Sequence, residues 1–388
     1  MARAKSKKRM NGQRVVAGPV AASQGEVMEK IDGEAGKLYH DILAEKRPRM
    51  LFPVRALSNV RYVRKNRSEG FFQIKGRKTE RTLTVNTVKT FAQSVRTMAQ
   101  LKDVVATNDI IGKREVYYNA KSWGEVRFDE QPEADTVVDD LEAMFAVNRE
   151  QFNLIAEERG GNVAGSIVIV DRDPATGSPI DVDCTKLGTA AYSVPSRVEH
   201  LAFKTKADFI LVVETNQLFE RLNHHAFWRD ANCIIVSMSG VPTRACRRFV
   251  RRLADDKKLP VYVFTDGDPY GYMNIYRTLK VGSGNAAHIN EFFCVPQARF
   301  LGVTPWDIEE FKLHDATHPL EQVDIKRARD AIKNDPFIQH HKEWRECLEK
   351  MLAMGVRVEQ QAFAKHSLNY VIQEYLPKKL ARPERFLP

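Results

Sequence analysis

Two periodicities divide this chain. In its first half apolar residues recur every three to four positions, the spacing of a helix with one buried face. Met28, Ile31, Ala35, Leu38 and Ile42 form such a stripe between Gln24 and Glu45. Ser23 can cap that helix, and Glu26 three residues on can close a capping box. Pro48 and Pro53 end the segment. A second helix is predicted over Val85–Leu101, with Val88, Phe91, Ala92, Val95, Met98 and Leu101 on one face. Thr107 or Asn108 can cap a third, running from Ile111 through Tyr118. Asp135 is a good N-cap ahead of Val138, Leu141 and Phe145, and after a break at residues 146–148 the helical pattern resumes over Arg149–Ile155. Helix, tight turn, helix is a DNA-reading arrangement. On its second helix Arg149, Gln151 and Asn153 are donors suited to phosphates or base edges. Apolar runs on either side of a turn at residues 174–179 predict a hairpin over Ser166–Cys184, expected as the wing of that motif.

The second half alternates short β-rich runs with helices, which implies a parallel sheet covered on both faces. Phe209–Val213 ends at Glu214, Cys233–Met238 ends before Gly240, and Val261–Phe264 ends at Thr265-Asp266-Gly267-Asp268-Pro269. Ligands of such sheets bind beyond the carboxyl ends of the strands. If the strands are neighbours, Glu214, Asp266 and Asp268 converge there. Clustered carboxylates repel each other, and an oxygen-only set favours Mg²⁺ over zinc. The helix expected over Thr243–Asp255 carries Arg244, Arg247, Arg248, Arg251 and Arg252, either a solvated face or a stripe along a phosphate backbone. Arg114 and Tyr118, four apart, share a helix face. A phenol beside a guanidinium is a candidate nucleophile, although spacing alone favours Tyr117 and Tyr118 beside Trp123 as packing residues.

Composition narrows the partners. Of 388 residues 43% are hydrophobic, which excludes a wholly disordered chain. Lys+Arg is 60 against Asp+Glu 50, a net charge of +10 that favours a polyanionic partner. Residues 1–25 hold six bases (Arg3, Lys5, Lys7, Lys8, Arg9, Arg14) and no acid, the composition of a basic arm. No apolar run is long enough for a membrane helix. The five cysteines are widely spaced without a CxxC pair, which points to a reducing, intracellular setting rather than a zinc ribbon or disulfide framework. No GxxxxGK[ST] loop is present.

Arg114-Glu-Val-Tyr-Tyr118 with Trp123-Gly124 resembles the catalytic-tyrosine motif of the topoisomerase VI A-subunit family, which includes the meiotic double-strand-break transesterases. Phe209–Glu214 with Phe219-Glu-Arg-Leu222 resembles that family's first Toprim strand and helix. Thr265-Asp-Gly-Asp-Pro-Tyr-Gly271 resembles its metal-binding strand end, and Phe300–Asp307 is similar too. The resemblance spans about residues 80–388. It implies an α/β fold in which a winged-helix (CAP-like) domain precedes a Rossmann-like Toprim domain. The boundaries expected are 1–70 for a basic tail and helical extension contacting a partner, 71–185 for the winged helix and 190–388 for Toprim.

The resemblance further implies an ATP-dependent type II DNA topoisomerase. Tyr118 would form a 5′-phosphotyrosyl link with double-stranded DNA, Arg114 would steady the phosphate, and Glu214, Asp266 and Asp268 would hold Mg²⁺. Arg149, Gln151, Asn153, Arg244 and Arg248 are the candidate DNA contacts. The chain would form a homodimer with each active site shared between copies. ATP would be bound not here but by a GHKL-type ATPase B subunit in an A2B2 heterotetramer, with the helix at residues 24–45 as its contact. The setting would be cytoplasmic and nucleoid-associated, or nuclear in a eukaryote, with no membrane partner. The alternatives are a transesterase that makes programmed breaks without efficient resealing, and a non-catalytic winged-helix DNA-binding protein.

Overall fold

The computed structural model describes residues 21–64, 69–155 and 160–388, so most of the basic arm expected over residues 1–25 lies outside the described residues. The fold is α/β, a winged-helix-type helical domain followed by a Toprim domain.

The helical domain begins with α1 (Gln24–Leu43). Its capping box forms as the sequence suggests: the Glu26 N–H donates to the Ser23 hydroxyl at 3.3 Å, and the Ser23 N–H donates to Glu26 Oε2 at 2.6 Å. The buried stripe is Val27, Ile31 and Leu38. Met28 and Ala35 only flank it, and Ile42 is exposed, because α1 runs past the edge of the core. β1 (Arg49–Pro53) pairs antiparallel with β2 (Lys78–Thr82), and its alternate residues Met50 and Phe52 enter the same core. Three further helices complete it: α2 (Val88–Ala106), α3 (Lys113–Ala120) and α4 (Gln131–Phe145).

Several boundaries differ from expectation. α3 starts at Lys113, because Ile111–Gly112 is extended and pairs in parallel with Leu154–Ile155. Its first turn is closed by Glu115, whose Oε2 accepts the Gly112 N–H at 2.5 Å. α4 starts at Gln131 with Pro132 in its first turn, so Asp135 is inside the helix and not its cap. Arg149–Ile155 is not a recognition helix. It is one 3₁₀ turn, Arg149–Phe152, stopped by Asn153 at φ 59° and followed by the short extended pair. Phe152 and Leu154, two residues apart, are both buried, a spacing that extended backbone provides and a helix does not.

The hairpin Ile167–Arg172/Pro179–Asp183 forms, but not as the wing. Its first strand also pairs with Ala202–Thr205, making a three-stranded antiparallel sheet. Ile167, Ile169 and Phe203 pack into the Toprim core, with the Phe203 ring edge-on to Phe249 at 5.3 Å. The ribbon on the helical core is instead β1–β2.

The Toprim sheet contains β3 (Asn162–Gly165), β4 (Tyr192–Ser193), β5 (Phe209–Val213), β6 (Cys233–Ser237), β7 (Val261–Phe264) and β8 (Ala298–Gly302), in the order β4-β3-β6-β5-β7-β8. Strands β6, β5, β7 and β8 are mutually parallel, and β3 and β4 close one edge antiparallel. Side chains alternate between two cores. Ile210, Val212, Ile234, Val236, Val261 and Val263 face one, while Phe209, Leu211, Val213, Cys233, Ile235 and Phe264 face the other. Burial on both faces explains why these strands read as continuous apolar runs. α5 (Asn216–His224) follows β5, and α6 (Arg244–Lys257) follows β6.

This packing shifts the expected divisions. α1 and β1 belong to the helical core rather than to a separate extension over 1–70, and residues 162–205 bury their strands against Toprim elements rather than closing the helical domain at 185. A hairpin between β1 and β2, Val60–Arg64/Gly70–Ile74, crosses to the Toprim side. There the Phe72 N–H donates to Val281 O at 3.1 Å, and Asn290 donates to Phe72 O at 3.1 Å. All five cysteines are buried and unpaired. Among the described residues no helix is long and apolar enough to cross a membrane.

Candidate active site

α3 sorts its two tyrosines by face. Val116 and Ala120 anchor the helix in the core. Tyr117 packs at the edge of that core, and its hydroxyl donates to Asp129 O at 3.3 Å. Tyr118 is 53% exposed, and its hydroxyl has no hydrogen-bond partner among the described residues. Arg114 lies one turn back on the same exposed face. Lys121 Nζ stands 4.6 Å from the centre of the Tyr118 ring. An open depression of about 650 Å³ borders Tyr118, with Arg96 and Trp123 in its wall and the Arg96 guanidinium 5.1 Å from the Trp123 ring centre. The sequence reading missed Arg96 and Lys121. Lys121 was findable, three residues beyond Tyr118 on one helix; Arg96 arrives from α2, which local spacing does not report.

The three acids stand at the carboxyl ends of adjacent strands. Glu214 ends β5, and Asp266 and Asp268 follow its direct neighbour β7. The Glu214 N–H donates to Phe264 O at 3.1 Å, and the Asp266 N–H donates to Glu214 Oε2 at 2.9 Å. Asp266 Oδ1 accepts the Gln360 N–H at 2.8 Å, and Asp268 Oδ1 accepts the Gly271 N–H at 2.5 Å. Gly267 makes this turn possible: a Cβ there would come within 2.7 Å of Val358 Cγ1 and 2.9 Å of Val303 O. Burial pushes Glu214 up to about 7, with the charges of Asp266 and Asp268 adding to it. Burial likewise pushes Asp266 up to about 6 against the opposing Gln360 N–H, and Asp268 moves upward for the same first reason.

Such a set fits a hard cation. The donors are all carboxylate oxygens, partly desolvated and mutually repelling, a strain that a divalent ion relieves. Among the described residues no three acidic, His or Cys side chains are already gathered into a metal-ligating cluster. Mg²⁺ asks for less, since it commonly takes one or two carboxylates and keeps several waters.

The candidate DNA contacts fare differently. Arg244 is mostly buried and pairs through both terminal nitrogens with the fully buried Glu142 of α4, at 2.5 and 3.0 Å. Arg248 pairs with Glu199 at 2.6 and 3.1 Å and donates to Phe292 O at 3.1 Å. Arg251 is 2% exposed and donates to Cys294 O at 2.8 Å, and Arg252 donates to Leu201 O at 2.9 Å. The arginine run is therefore neither a solvated face nor a phosphate stripe. It binds α6 to the carbonyl-rich loops that surround it. Gln151 accepts the Asn148 N–H at 2.7 Å and donates to Ala22 O at 2.7 Å, Asn153 is 6% exposed, and Arg149 lies against Glu150 at 3.4 Å. The five candidate contacts, Arg149, Gln151, Asn153, Arg244 and Arg248, are thus all half-buried or buried within the protein.

Residues 209–380 match the family model described as the Toprim domain of the topoisomerase 6 A subunit/Spo11. Residues 157–207 match the all-beta domain in DNA topoisomerase VI alpha subunit, and 89–154 match Type IIB DNA topoisomerase. The type 2 DNA topoisomerase 6 A subunit of Methanocaldococcus jannaschii is 48% identical over 360 residues, 93% of this chain and 96% of that one. The chain belongs to the topoisomerase VI A-subunit family. The A subunits of Pyrococcus abyssi (36% over 380 residues, 94% and 96% covered) and Methanosarcina acetivorans (33% over 366 residues, 92% and 95%) are also similar along nearly their whole length. Membership in this family makes the chain part of a type II DNA topoisomerase. The 157–207 match also coincides with the strands that pack beside the Toprim sheet and not with a wing.

Proposed function

We propose that this chain is the DNA-cleaving and rejoining subunit of a type IIB topoisomerase, with Tyr118 as nucleophile and Glu214, Asp266 and Asp268 as the residues that hold Mg²⁺. The observation that carries the reading is the contrast between adjacent phenols: Tyr117 is packed and bonded, while Tyr118 is exposed on a basic face. Attack by the Tyr118 oxygen forms a bond to phosphorus and breaks the bond to the 3′-oxygen. The phenolic proton departs, the 3′-oxygen takes up a proton, and the 5′-phosphate stays on the protein. The phosphodiester energy is kept in that link, so the 3′-hydroxyl can reverse the step. Arg114 and Lys121 stabilise negative charge on the phenolate and phosphate. A bound divalent cation supplies charge neutralisation at the transferring phosphate.

The residues around Tyr118 come from the helical domain, and those around the three acids come from Toprim. This separation supports a homodimer in which Tyr118 of one copy meets the acids of the other, so that two sites cut both strands. A GHKL-type ATPase B subunit, docking on α1 in an A2B2 assembly, would provide the ATP step, in keeping with a sequence that carries no GxxxxGK[ST] loop. The exposed Tyr39, Ile42 and Leu43 at the end of α1 suit such a contact. The place of action is the compartment that holds the DNA. The test is co-expression with a B-type ATPase, followed by ATP-dependent relaxation of supercoiled DNA and detergent trapping of covalent adducts. Wild-type protein should relax DNA and yield adducts, and Tyr118→Phe should do neither. Adducts from Tyr118→Phe would refute the assignment. Adducts without relaxation would favour the break-making alternative.

A further inference from the structure

The segment that follows residue 355 returns to the acid-bearing turn, where Gln360 meets Asp266 from 94 residues away in sequence. Val358 bridges Gly267 with two backbone bonds, Gly267 N–H to Val358 O at 2.7 Å and Val358 N–H to Gly267 O at 3.1 Å. Gln360, two residues on, is 4% exposed. Its backbone N–H holds Asp266 Oδ1 at 2.8 Å, and its side-chain Nε2 donates to Phe264 O at 2.9 Å. Phe264 O also accepts the Glu214 N–H at 3.1 Å. One residue thus grips the Asp266 carboxylate directly, and it shares an anchor with Glu214. Its Oε1 is buried without a partner among the described residues. A buried amide acceptor left unpaired costs stability, which calls for a role at the place where it is kept.

We propose that Gln360 is the positioning residue of the Toprim metal site: it fixes one oxygen of Asp266 and so leaves the other for the divalent cation. The inference rests on the reading that Glu214, Asp266 and Asp268 hold the cation. Gln360 does not ligate the cation itself. Its amide keeps residues 358–360 seated against the strand end, and the backbone N–H then meets Asp266 in one orientation. Partners of this kind around ligating carboxylates typically change metal affinity by about 10- to 100-fold when removed.

The experiment titrates Mn²⁺, a probe for Mg²⁺, into the full-length protein without DNA and follows free Mn²⁺ by electron paramagnetic resonance. Melting in EDTA is measured alongside. Gln360→Met keeps the side chain's length but removes its donor and acceptor, and should weaken Mn²⁺ binding by about tenfold. Gln360→Asn keeps the amide but falls one methylene short of Phe264 O, and should weaken it similarly. A merely structural role would lower the EDTA melting temperature of both variants and leave Mn²⁺ affinity at the wild-type value, and that result overturns the proposal. Asp266→Asn separates the two levels of the argument. If wild-type protein binds no more Mn²⁺ than Asp266→Asn, the metal reading itself fails and Gln360 has nothing to position. If wild type binds and Asp266→Asn does not, the Gln360 variants alone decide.

Discussion

Replacing Arg244 by leucine distinguishes a residue that binds DNA from one that holds two domains together. Glu142 is fully buried and accepts four hydrogen bonds: two from Arg244 at 2.5 and 3.0 Å, one from His288 at 2.9 Å, and one from the Arg149 N–H at 2.7 Å. Its burial alone would push the carboxyl up, but the Arg244 charge and the His288 bond outweigh that and hold it well below the usual range. Arg244→Leu removes half of those bonds and the balancing charge, and leaves a carboxylate in the interior. Breaking a buried pair from one side costs about 3–5 kcal/mol. That is a shift of roughly two to nearly four powers of ten in the folding equilibrium. Urea denaturation at pH 7 measures it. The pH dependence adds a signed check. In wild type the depressed pKa contributes stability above the ordinary carboxyl range, and that stability is lost as pH falls through it. In Arg244→Leu burial dominates and the pKa rises, so the variant loses stability as pH climbs from about 4 towards neutrality and the gap to wild type widens. Glu142→Leu combined with Arg244→Met should recover most of the loss, because no charge is then stranded. Unchanged stability with weakened DNA binding would refute this reasoning and restore Arg244 as a phosphate contact.

Tyr118→Phe should abolish covalent adducts while changing stability by less than about 0.5 kcal/mol, since the lost hydroxyl is exposed and unbonded. Tyr117→Phe should keep adducts and cost about 1 kcal/mol for its bond to Asp129 O; adduct trapping on both variants shows whether the phenols have been assigned in the wrong order. Arg114→Ala should slow cleavage by about 10²- to 10³-fold with a much smaller effect on DNA affinity, and equal losses in single-turnover cleavage and equilibrium binding would make it only a DNA contact. Metal-free protein should lose stability as pH rises from about 4.5 through about 7, because the raised Glu214 pKa means the folded state holds that proton more tightly. Glu214→Gln should remove most of this slope and stabilise the metal-free protein by on the order of 2 kcal/mol at pH 7.5, while costing it Mg²⁺ binding. A flat melting profile in wild type would contradict the burial and mutual repulsion on which the proposed cation site rests.

The legible parts of the molecule were those whose signals are local. The four parallel strands could be read because burial on both faces makes them unbroken apolar runs, and their order of appearance carried Glu214 and the Asp-Gly-Asp turn to strand ends. α1 announced itself through Ser23 and Glu26. What misled was also local. Arg149, Gln151 and Asn153 have the spacing of a polar helix face, but Phe152 and Leu154 both bury and Asn153 turns left-handed, which a helical reading cannot accommodate. The arginines of α6 looked like a phosphate stripe because periodicity shows which residues share a side of a helix, not what lies opposite. Glu142, Glu199 and the carbonyls of residues 291–294 come from 40 to 102 positions away. Gln360 was unreadable for the same reason.

Those long-range contacts bear on how cutting is organised. Two independent links join the helical and Toprim domains of one chain: the Glu142–Arg244–His288 cluster, and the strand pair Val60–Arg64/Gly70–Ile74, which leaves the β1–β2 ribbon to bond Val281 and Asn290. A hinge between phenol and acids would have to break both, and the first alone resists by several kcal/mol. Closure within one chain is thereby disfavoured, whereas apposition of two copies leaves both links intact. Locked domains also mean that a movement imposed on α1, which shares its core with α3, is carried to Tyr118 and through Glu142 to the partner domain as one body. On the proposed reading, an external stroke on a protein built this way would reach the DNA ends by moving whole copies apart, with the phosphotyrosine holding the strand throughout.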